Sequence, residues 1–303
     1  MYHFALMSLP KGKDIDLKID ILKYIDDNFA KFSKGQKQIA TYLKEHYDKA
    51  AYMTAAKLGR EVGVSESTVV RFVMEIGFDG YPAFQRSLRE LIRAKLTAVQ
   101  RIEVTNSLIG EGNVLEKVLC SDIDKIKRTL EGIDKKSFED AVKNIVDAKT
   151  FYILGMRASS YLAGFFNYSL RMLSDNVRFI QTTSGSETFE QMMNIGEGDV
   201  LFAISFPRYS QSIIKGVEFA KNAGADVIAL TDSESSPIAE HADQLLVAQS
   251  DMASFADSLV APMSVINALI VAVTRERSEE FSARLRRLEE AWDEYHVYNK
   301  NNE

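Results

Sequence analysis

The chain has 303 residues, an apolar share of 46%, a charged share of 26% and a net charge of −6 at pH 7. This is the make-up of a soluble globular protein with room for two domains. No apolar run approaches the roughly 18 residues of a membrane span, the N-terminal MYHFALMSLPKGKDIDLK lacks the basic flank and long apolar run of an export signal, and Cys120 is the only cysteine, so no intramolecular disulfide can form; a membrane protein and a secreted disulfide scaffold are excluded, and a cytoplasmic protein is expected.

The charge is uneven along the chain. Residues 1–100 hold 16 Lys+Arg against 12 Asp+Glu, whereas 101–303 hold 21 against 31. A mildly basic front half on an acidic body is a weak mark of a nucleic-acid module joined to something else. Residues 15–95 read as helical throughout. Ile19, Leu22, Ile25 and Phe29 form one apolar stripe, and Ile39, Tyr42, Leu43 and Tyr47 form another after a start at Ser33. Phe84, Leu88, Leu91 and Ile92 form a further stripe after the turn Gly80-Tyr81-Pro82.

Between the last two stripes lies Met53–Phe84, which has the build of a helix-turn-helix. Thr54 can cap a first helix, Ala55–Val62, and Gly63 sits where a tight turn needs an unhindered backbone. Ser65 can cap a second helix that runs to Ile76 and stops at Gly77. Val69, Phe72, Val73 and Ile76 follow the spacing of a buried face. Ser67, Val70, Arg71 and Met74 are left outward, a surface that suits a major groove. The DNA-binding candidates are therefore Ser65, Ser67, Thr68, Val70 and Arg71. An ordinary helical hairpin would show the same Ser caps and Gly turn, with Ser67 and Thr68 only finishing the helix start. Residues 93–120, with Gly110 and Gly112 as breakers, read as a helical linker.

From about residue 121 short β-branched and aromatic runs alternate with helical stretches. The runs are Thr150–Leu154, Val177–Ile180, Val200–Ser205, Asp226–Thr231 and Gln244–Ala248. Such alternation predicts a parallel sheet covered on both faces. An apolar helix is expected over 259–274, deep in this domain, and a charged helical tail over 279–298.

In such a sheet ligands bind beyond the carboxyl ends of the strands, where helix N-termini offer N–H groups to anions. Three strand ends are rich in hydroxyls: Gly155-Met156-Arg157-Ala158-Ser159-Ser160, Ser205-Phe206-Pro207-Arg208-Tyr209-Ser210 and Thr231-Asp232-Ser233-Glu234-Ser235-Ser236. The loop Thr182–Ser186 adds more. For any single serine, helix capping is the ordinary role. The set, with two arginines beside it, favours an anion site built from Arg157, Ser159, Ser205, Arg208 and Ser210. The competing role for the arginines is a local bridge to an acid such as Glu187 or Asp232. No catalytic residue stands out, no P-loop or nucleophile elbow occurs, and His3, His46, His241 and His296 lack metal-ligand spacing. Neither a metal nor a cofactor is expected. Cys120 reads as a packed helical residue.

Together the two halves resemble the MurR/RpiR family of bacterial transcription regulators. The N-terminal resemblance rests on Ser33-Lys34-Gly35-Gln36-Lys37-Gln38-Ile39-Ala40, on Leu58–Phe78 with Gly63–Phe72 at its centre, and on Gly80-Tyr81-Pro82-Ala83-Phe84. The remainder rests on Ile204-Ser205, Thr231-Asp232-Ser233, Ser236-Pro237-Ile238-Ala239 and Ala242-Asp243. The resemblance implies an all-α helix-turn-helix domain plus an α/β sugar isomerase (SIS) domain, three-layered αβα with a five-stranded parallel sheet. The expected divisions are a DNA-binding domain over 1–92, a helical linker over 93–120, an SIS domain over 121–278 and a charged helical tail over 279–303. It further implies a regulator, not an enzyme, that binds a double-stranded DNA operator as a homodimer or homotetramer and senses a sugar phosphate or sugar acid, with no membrane partner. The chain departs from the family pattern at Arg157, where a glycine is usual, and at Pro207 and Arg208. Lost glycines cost close backbone approach to a phosphate, while gained arginines offer bidentate anion contacts. The rival reading is a sugar-phosphate isomerase with an accessory helical domain, which would need a base near the sugar carbons.

Overall fold

In the computed structural model, which describes residues 21–95, 97–110, 112–182 and 184–298, every described element before Phe151 is helical. Ile19, Thr183 and the side chains of Leu91 and Ile92 lie outside the described residues. The chain divides after Ile92 into two units. The first holds α1 (Ile21–Asn28), α2 (Lys34–Glu45), α3 (Tyr47–Ala50), α4 (Ala55–Val62), α5 (Glu66–Glu75) and most of α6 (Tyr81–Lys95).

Each start in this unit has a local cause. Ser33 and Gln36 form a reciprocal capping box at α2, Thr54 accepts the Lys57 N–H at α4, and Ser65 accepts the Thr68 N–H at α5, each satisfying a backbone donor left over by the helix geometry. Helix α5 ends in a Schellman turn: Gly77, at φ +103°, lets Phe78 N–H reach Val73 C=O at 3.2 Å and its own N–H reach Met74 C=O at 3.1 Å. The core gathers Ile25, Ile39, Leu43, Leu58, Val69, Phe72, Phe84 and Leu88, all fully buried, each contributing about 1.5–3 kcal/mol by leaving water. The first stripe is rotated from its expected phase. Ile21 and Ile25 are the buried pair and Leu22 and Phe29 are half-buried, while Phe32 is buried and packs edge-on to Phe72 at 5.3 Å. Helix α6 is tied down at its start by Tyr81, whose hydroxyl donates to Met53 C=O at 2.8 Å, by Gln85, whose amide donates to the same oxygen at 2.7 Å, and by Arg89, which donates to Ala51 C=O at 2.9 Å. Burial pushes the Tyr81 phenol up to about 12.

The second unit continues through α7 (Ala98–Ile109), α8 (Val114–Gly132) and α9 (Lys135–Asp147). The strands are β1 (Phe151–Gly155), β2 (Val177–Ile180), β3 (Val200–Ile204), β4 (Asp226–Thr231) and β5 (Gln244–Val247). Helices α10 (Ser159–Arg171), α11 (Gly185–Met192) and α12 (Gln211–Asn222) connect the first four strands, and α13 (Val260–Glu276) and α14 (Ser278–Glu294) follow the last. All five strands pair in parallel in the order β2-β1-β3-β4-β5, so the expected αβα architecture is the observed one. Side chains alternate between faces. Phe151, Ile153, Phe202, Ile204, Ile228 and Leu230 point to a core shared with α9, α10 and α13. Tyr152, Leu154, Leu201, Ala203, Val227 and Ala229 point to α11 and α12. The edge strand β5 is covered by α9: the Ser137 hydroxyl donates to Leu245 C=O and accepts Leu245 N–H, both at 3.0 Å, which removes a free sheet edge.

The apolar helix α13 lies in this core through Val265, Ile266, Leu269 and Val273. Helix α14 buries only Phe281 and is anchored by Arg284, whose guanidinium donates to both Asp175 oxygens at 2.9 and 2.6 Å. The Arg284 hydrogen bonds hold the Asp175 carboxyl below its usual range. Cys120 is exposed on α8, contrary to the expectation of a packed residue. The inner face of α8 is instead set by Lys125 and Thr129, which puts residue 120 on the outer side. No described helix is long and apolar enough to cross a membrane.

Candidate functional site

Helix α5 presents the candidate DNA surface. Gly63, at φ +74°, turns the chain between α4 and α5, a conformation open to glycine at no steric cost. Gly59 lets the two helices meet: a Cβ there would stand 2.8 Å from Val64 O. With Val69, Phe72 and Val73 fully buried, Ser65, Ser67 and Arg71 are exposed, and Thr68 and Val70 are half-buried. The Ser65 hydroxyl contacts those of Ser67 at 2.9 Å and Thr68 at 2.8 Å, a hydroxyl cluster at the helix start. Arg71 Nε donates to Ser67 C=O at 3.2 Å. That bond steadies an exposed guanidinium, a group suited to a planar acceptor pair. Met74, 57% exposed, extends the same face by one turn. Gln36 donates to Glu75, which locks α2 against the far end of α5.

The second candidate lies at the strand ends. The order β2-β1-β3-β4-β5 changes direction between β1 and β3, so the helices that follow these two strands leave to opposite faces and open a crevice beyond them. Gly155 ends β1, and a Cβ on it would fall 2.6 Å from Ser159 O. Only glycine allows α10 to start so close to the strand. Arg157 has φ +55°, the left-handed conformation that costs a non-glycine residue about 1–2 kcal/mol. The backbone thus keeps a glycine-like path while carrying an exposed arginine. Ser159 is buried in the first turn of α10. From the neighbouring strand, Ser205 is 1% exposed and its hydroxyl has no hydrogen-bond partner among the described residues. An orphaned buried hydroxyl costs about 1–3 kcal/mol and calls for an explanation.

The two loops adjoin, since the Ser210 hydroxyl lies 3.6 Å from Met156 Sδ. Ser210 starts α12 without a side-chain cap bond. Arg208 is exposed, and among the described residues neither Arg157 nor Arg208 forms an ion pair. The acids named as their possible partners are engaged by hydroxyls: Glu187 accepts from Thr182, and Asp232 accepts from Tyr209 at 2.9 Å. The Tyr209–Asp232 bond, which joins the β3 and β4 ends, was not legible in the sequence, because it depends on strand adjacency. Nor was the Arg157 backbone, though its alignment with a usual glycine was a signal for it. Among the described residues no group of three His, Cys, Asp or Glu side chains could hold a metal ion.

Comparison with known proteins joins the two halves. A helix-turn-helix domain of the rpiR family matches residues 19–95, and an SIS domain matches 144–272. The chain belongs to the RpiR family. An uncharacterized HTH-type transcriptional regulator of Clostridium perfringens is 28% identical over 74% of this chain and 79% of its own length. The HTH-type transcriptional regulator HexR of Escherichia coli is 25% identical over 91% of this chain and 95% of its own. Among solved structures, the sugar isomerase domain of an RpiR transcription factor from Sphaerobacter thermophilus is 28% identical, with a TM-score of 0.55, over 57% of this chain and 97% of that one. Vibrio vulnificus NanR, complexed with ManNAc-6P, shares the fold at 22% identity and a TM-score of 0.57, over 91% of this chain and 99% of its own. This RpiR-family chain is an HTH-type transcriptional regulator with an SIS domain.

Proposed function

We propose that this regulator reads operator DNA through α5 and senses a sugar phosphate or sugar acid at the β1/β3 rim. The observation that carries the effector site is the buried Ser205 hydroxyl at the direction change of the sheet, without a hydrogen-bond partner among the described residues, with two exposed arginines on the flanking loops that form no ion pair among those residues. A bound anion would complete that hydroxyl, lie beside Ser159 on the first turn of α10, and pair with Arg157 and Arg208. Ser210 closes the same side. The ManNAc-6P complex of NanR supports a phosphosugar as the class. On the DNA side, Arg71 would address a base edge, Ser65, Ser67 and Thr68 the phosphate or base edges near the helix start, and Val70 the groove floor.

In this reading residues 1–92 bind DNA, 93–120 link, 121–278 sense and 279–303 form a tail. The protein acts in the cytoplasm as a symmetric pair or a pair of pairs, without enzymatic turnover. Exposed Leu115, Leu119, Ile123 and Leu130 on α8 support self-association. The deciding experiment is calorimetric titration with a panel of phosphosugars and sugar acids, run beside a gel shift on DNA upstream of the chain's own gene. Saturable binding of one compound that alters the shift is the expected result. Wild-type affinity in both Arg157→Ala and Arg208→Ala would sink the arginine assignment, and conversion of the bound sugar would make the protein an isomerase instead.

A further inference from the structure

The loop after β5, Asp251–Ser258, is fastened to the two helices α7 and α8 by polar groups, buried on the α7 side and more exposed on the α8 side. Arg101 on α7 has a side chain 2% exposed, and it pairs at 3.0 Å with Asp257, 8% exposed. Thr105, one turn further along α7, is also buried. On α8, Asp122 accepts the Ser258 hydroxyl at 2.7 Å and Arg128 donates to Asp251 at 2.9 Å. The loop itself is closed by a bridge between Met252 and Asp257.

A buried ion pair is a poor source of stability, because desolvation cancels most of its attraction; apolar residues of similar size would hold the two pieces as well. What the pair adds is register. It holds only one alignment of α7 against the loop, whereas an apolar contact can slide. The place of that loop gives the register a use. It continues β5, whose end is bonded to β4 by Ala248 N–H to Thr231 C=O at 2.8 Å. The next residue after β4 is Asp232, which holds Tyr209 on the Ser205–Ser210 loop. The candidate anion site is thus joined by consecutive bonds to Asp257. At the other end, α7 begins at Ala98, in sequence directly after α6, which ends at Lys95.

We propose that Arg101 and Asp257 are positioning residues that make α7 and the rim loop move as one piece, so that anion capture at the strand ends is transmitted to the helix next in the chain to the DNA-binding unit. This rests on the regulatory function proposed above. An effector can act in this way only by favouring one of two alignments, and a buried pair that fits a single register is a device that separates them. Loss of the Asp257 charge removes the charged contact by which the loop holds buried Arg101, so α7 and the loop part more readily.

The test uses the full-length protein, with Asp257→Asn and the charge-keeping Arg101→Lys, and an operator selected by the wild-type chain from random DNA. Thermal unfolding and circular dichroism confirm that each variant is folded. Hydrogen exchange in Asp257→Asn should quicken about five-fold or more in both 98–109 and 251–258, with β1, β3 and β4 unchanged. Operator affinity should shift at least about three-fold although no DNA-reading residue has changed, and Arg101→Lys should fall between this variant and the wild type. Faster exchange in the loop with α7 still protected would overturn the proposal. So would release of both segments with operator affinity within two-fold of wild type, which is what a merely structural pair would give. A wild-type chain that selects no DNA would overturn the regulatory reading itself, whereas a selected operator indifferent to Asp257→Asn would overturn only the coupling.

Discussion

Single residues show where the local rules were kept and where they were set aside. Arg71 is exposed and steadied by Ser67, so Arg71→Ala should weaken operator affinity by about 1–3 kcal/mol and relax preference at one base position; fluorescence anisotropy on operators with single base changes measures both. Arg157 is the opposite case, a residue in a backbone state that disfavours it. Replacement by glycine should raise the unfolding free energy by about 1 kcal/mol through relief of that strain, and should weaken effector binding if the guanidinium holds the anion. Stability unchanged or lowered in the glycine variant would show that Arg157 has structural work in the fold. Tyr81 is raised to about 12 by burial, against about 10 for the unfolded chain. A raised folded value means that the unfolded state loses its proton first. Its contribution is therefore complete below pH 10 and fades as pH climbs through the folded value. Because Gln85 also donates to Met53 C=O, Tyr81→Phe should cost only about 0.5–1.5 kcal/mol and flatten the alkaline limb of a stability–pH curve.

Elements are placed by close approach as much as by apolar stripes. Helix α4 meets the start of α5 because Gly59 has no side chain; a methyl there would sit 2.8 Å from a backbone oxygen that cannot move aside cheaply. Gly59→Ala should destabilise the helical unit by about 1–3 kcal/mol and lower operator affinity as α5 is pushed out of line. Chemical denaturation followed separately for the two units would locate the loss. At the strand ends the same logic applies to Gly155, which seats α10 and with it Ser159. The helix starts were legible from Ser33, Thr54 and Ser65 because a cap needs only neighbours in sequence. The phase of the first stripe was not legible in the same way, because burial of Ile21 and Phe32 depends on packing against distant residues such as Phe72, forty residues along the chain.

At the scale of the whole molecule, the acidic α/β unit carries an apolar surface of its own. Leu119 and Ile123 are 53% and 64% exposed on α8, a pattern unusual for a face that meets only water. If this face joins two copies, Leu119→Glu with Ile123→Glu should convert the assembly to monomers and lower operator affinity steeply, since two heads read two half-sites. Sedimentation that shows the same mass for wild type and variant would remove α8 from the interface.

The sequence alone determined the helix-turn-helix, the five strands and the residues offered at their ends. Caps, glycine turns and side-chain periodicity act over a few residues, and hydroxyl-rich strand ends are local in the same way. Only the tertiary structure decided which of those ends adjoin. Strand order set β1 beside β3 and brought Ser210 to Met156, and packing buried Ser205 with no hydroxyl partner among the described residues. It also decided that Cys120 faces outward, that Tyr209 spends its hydroxyl on Asp232, and that Arg101 closes on Asp257. These pairings join residues far apart in the chain. Whether a polar group is buried, and whether it then meets a partner, is a property of the packed molecule that no short window of sequence contains.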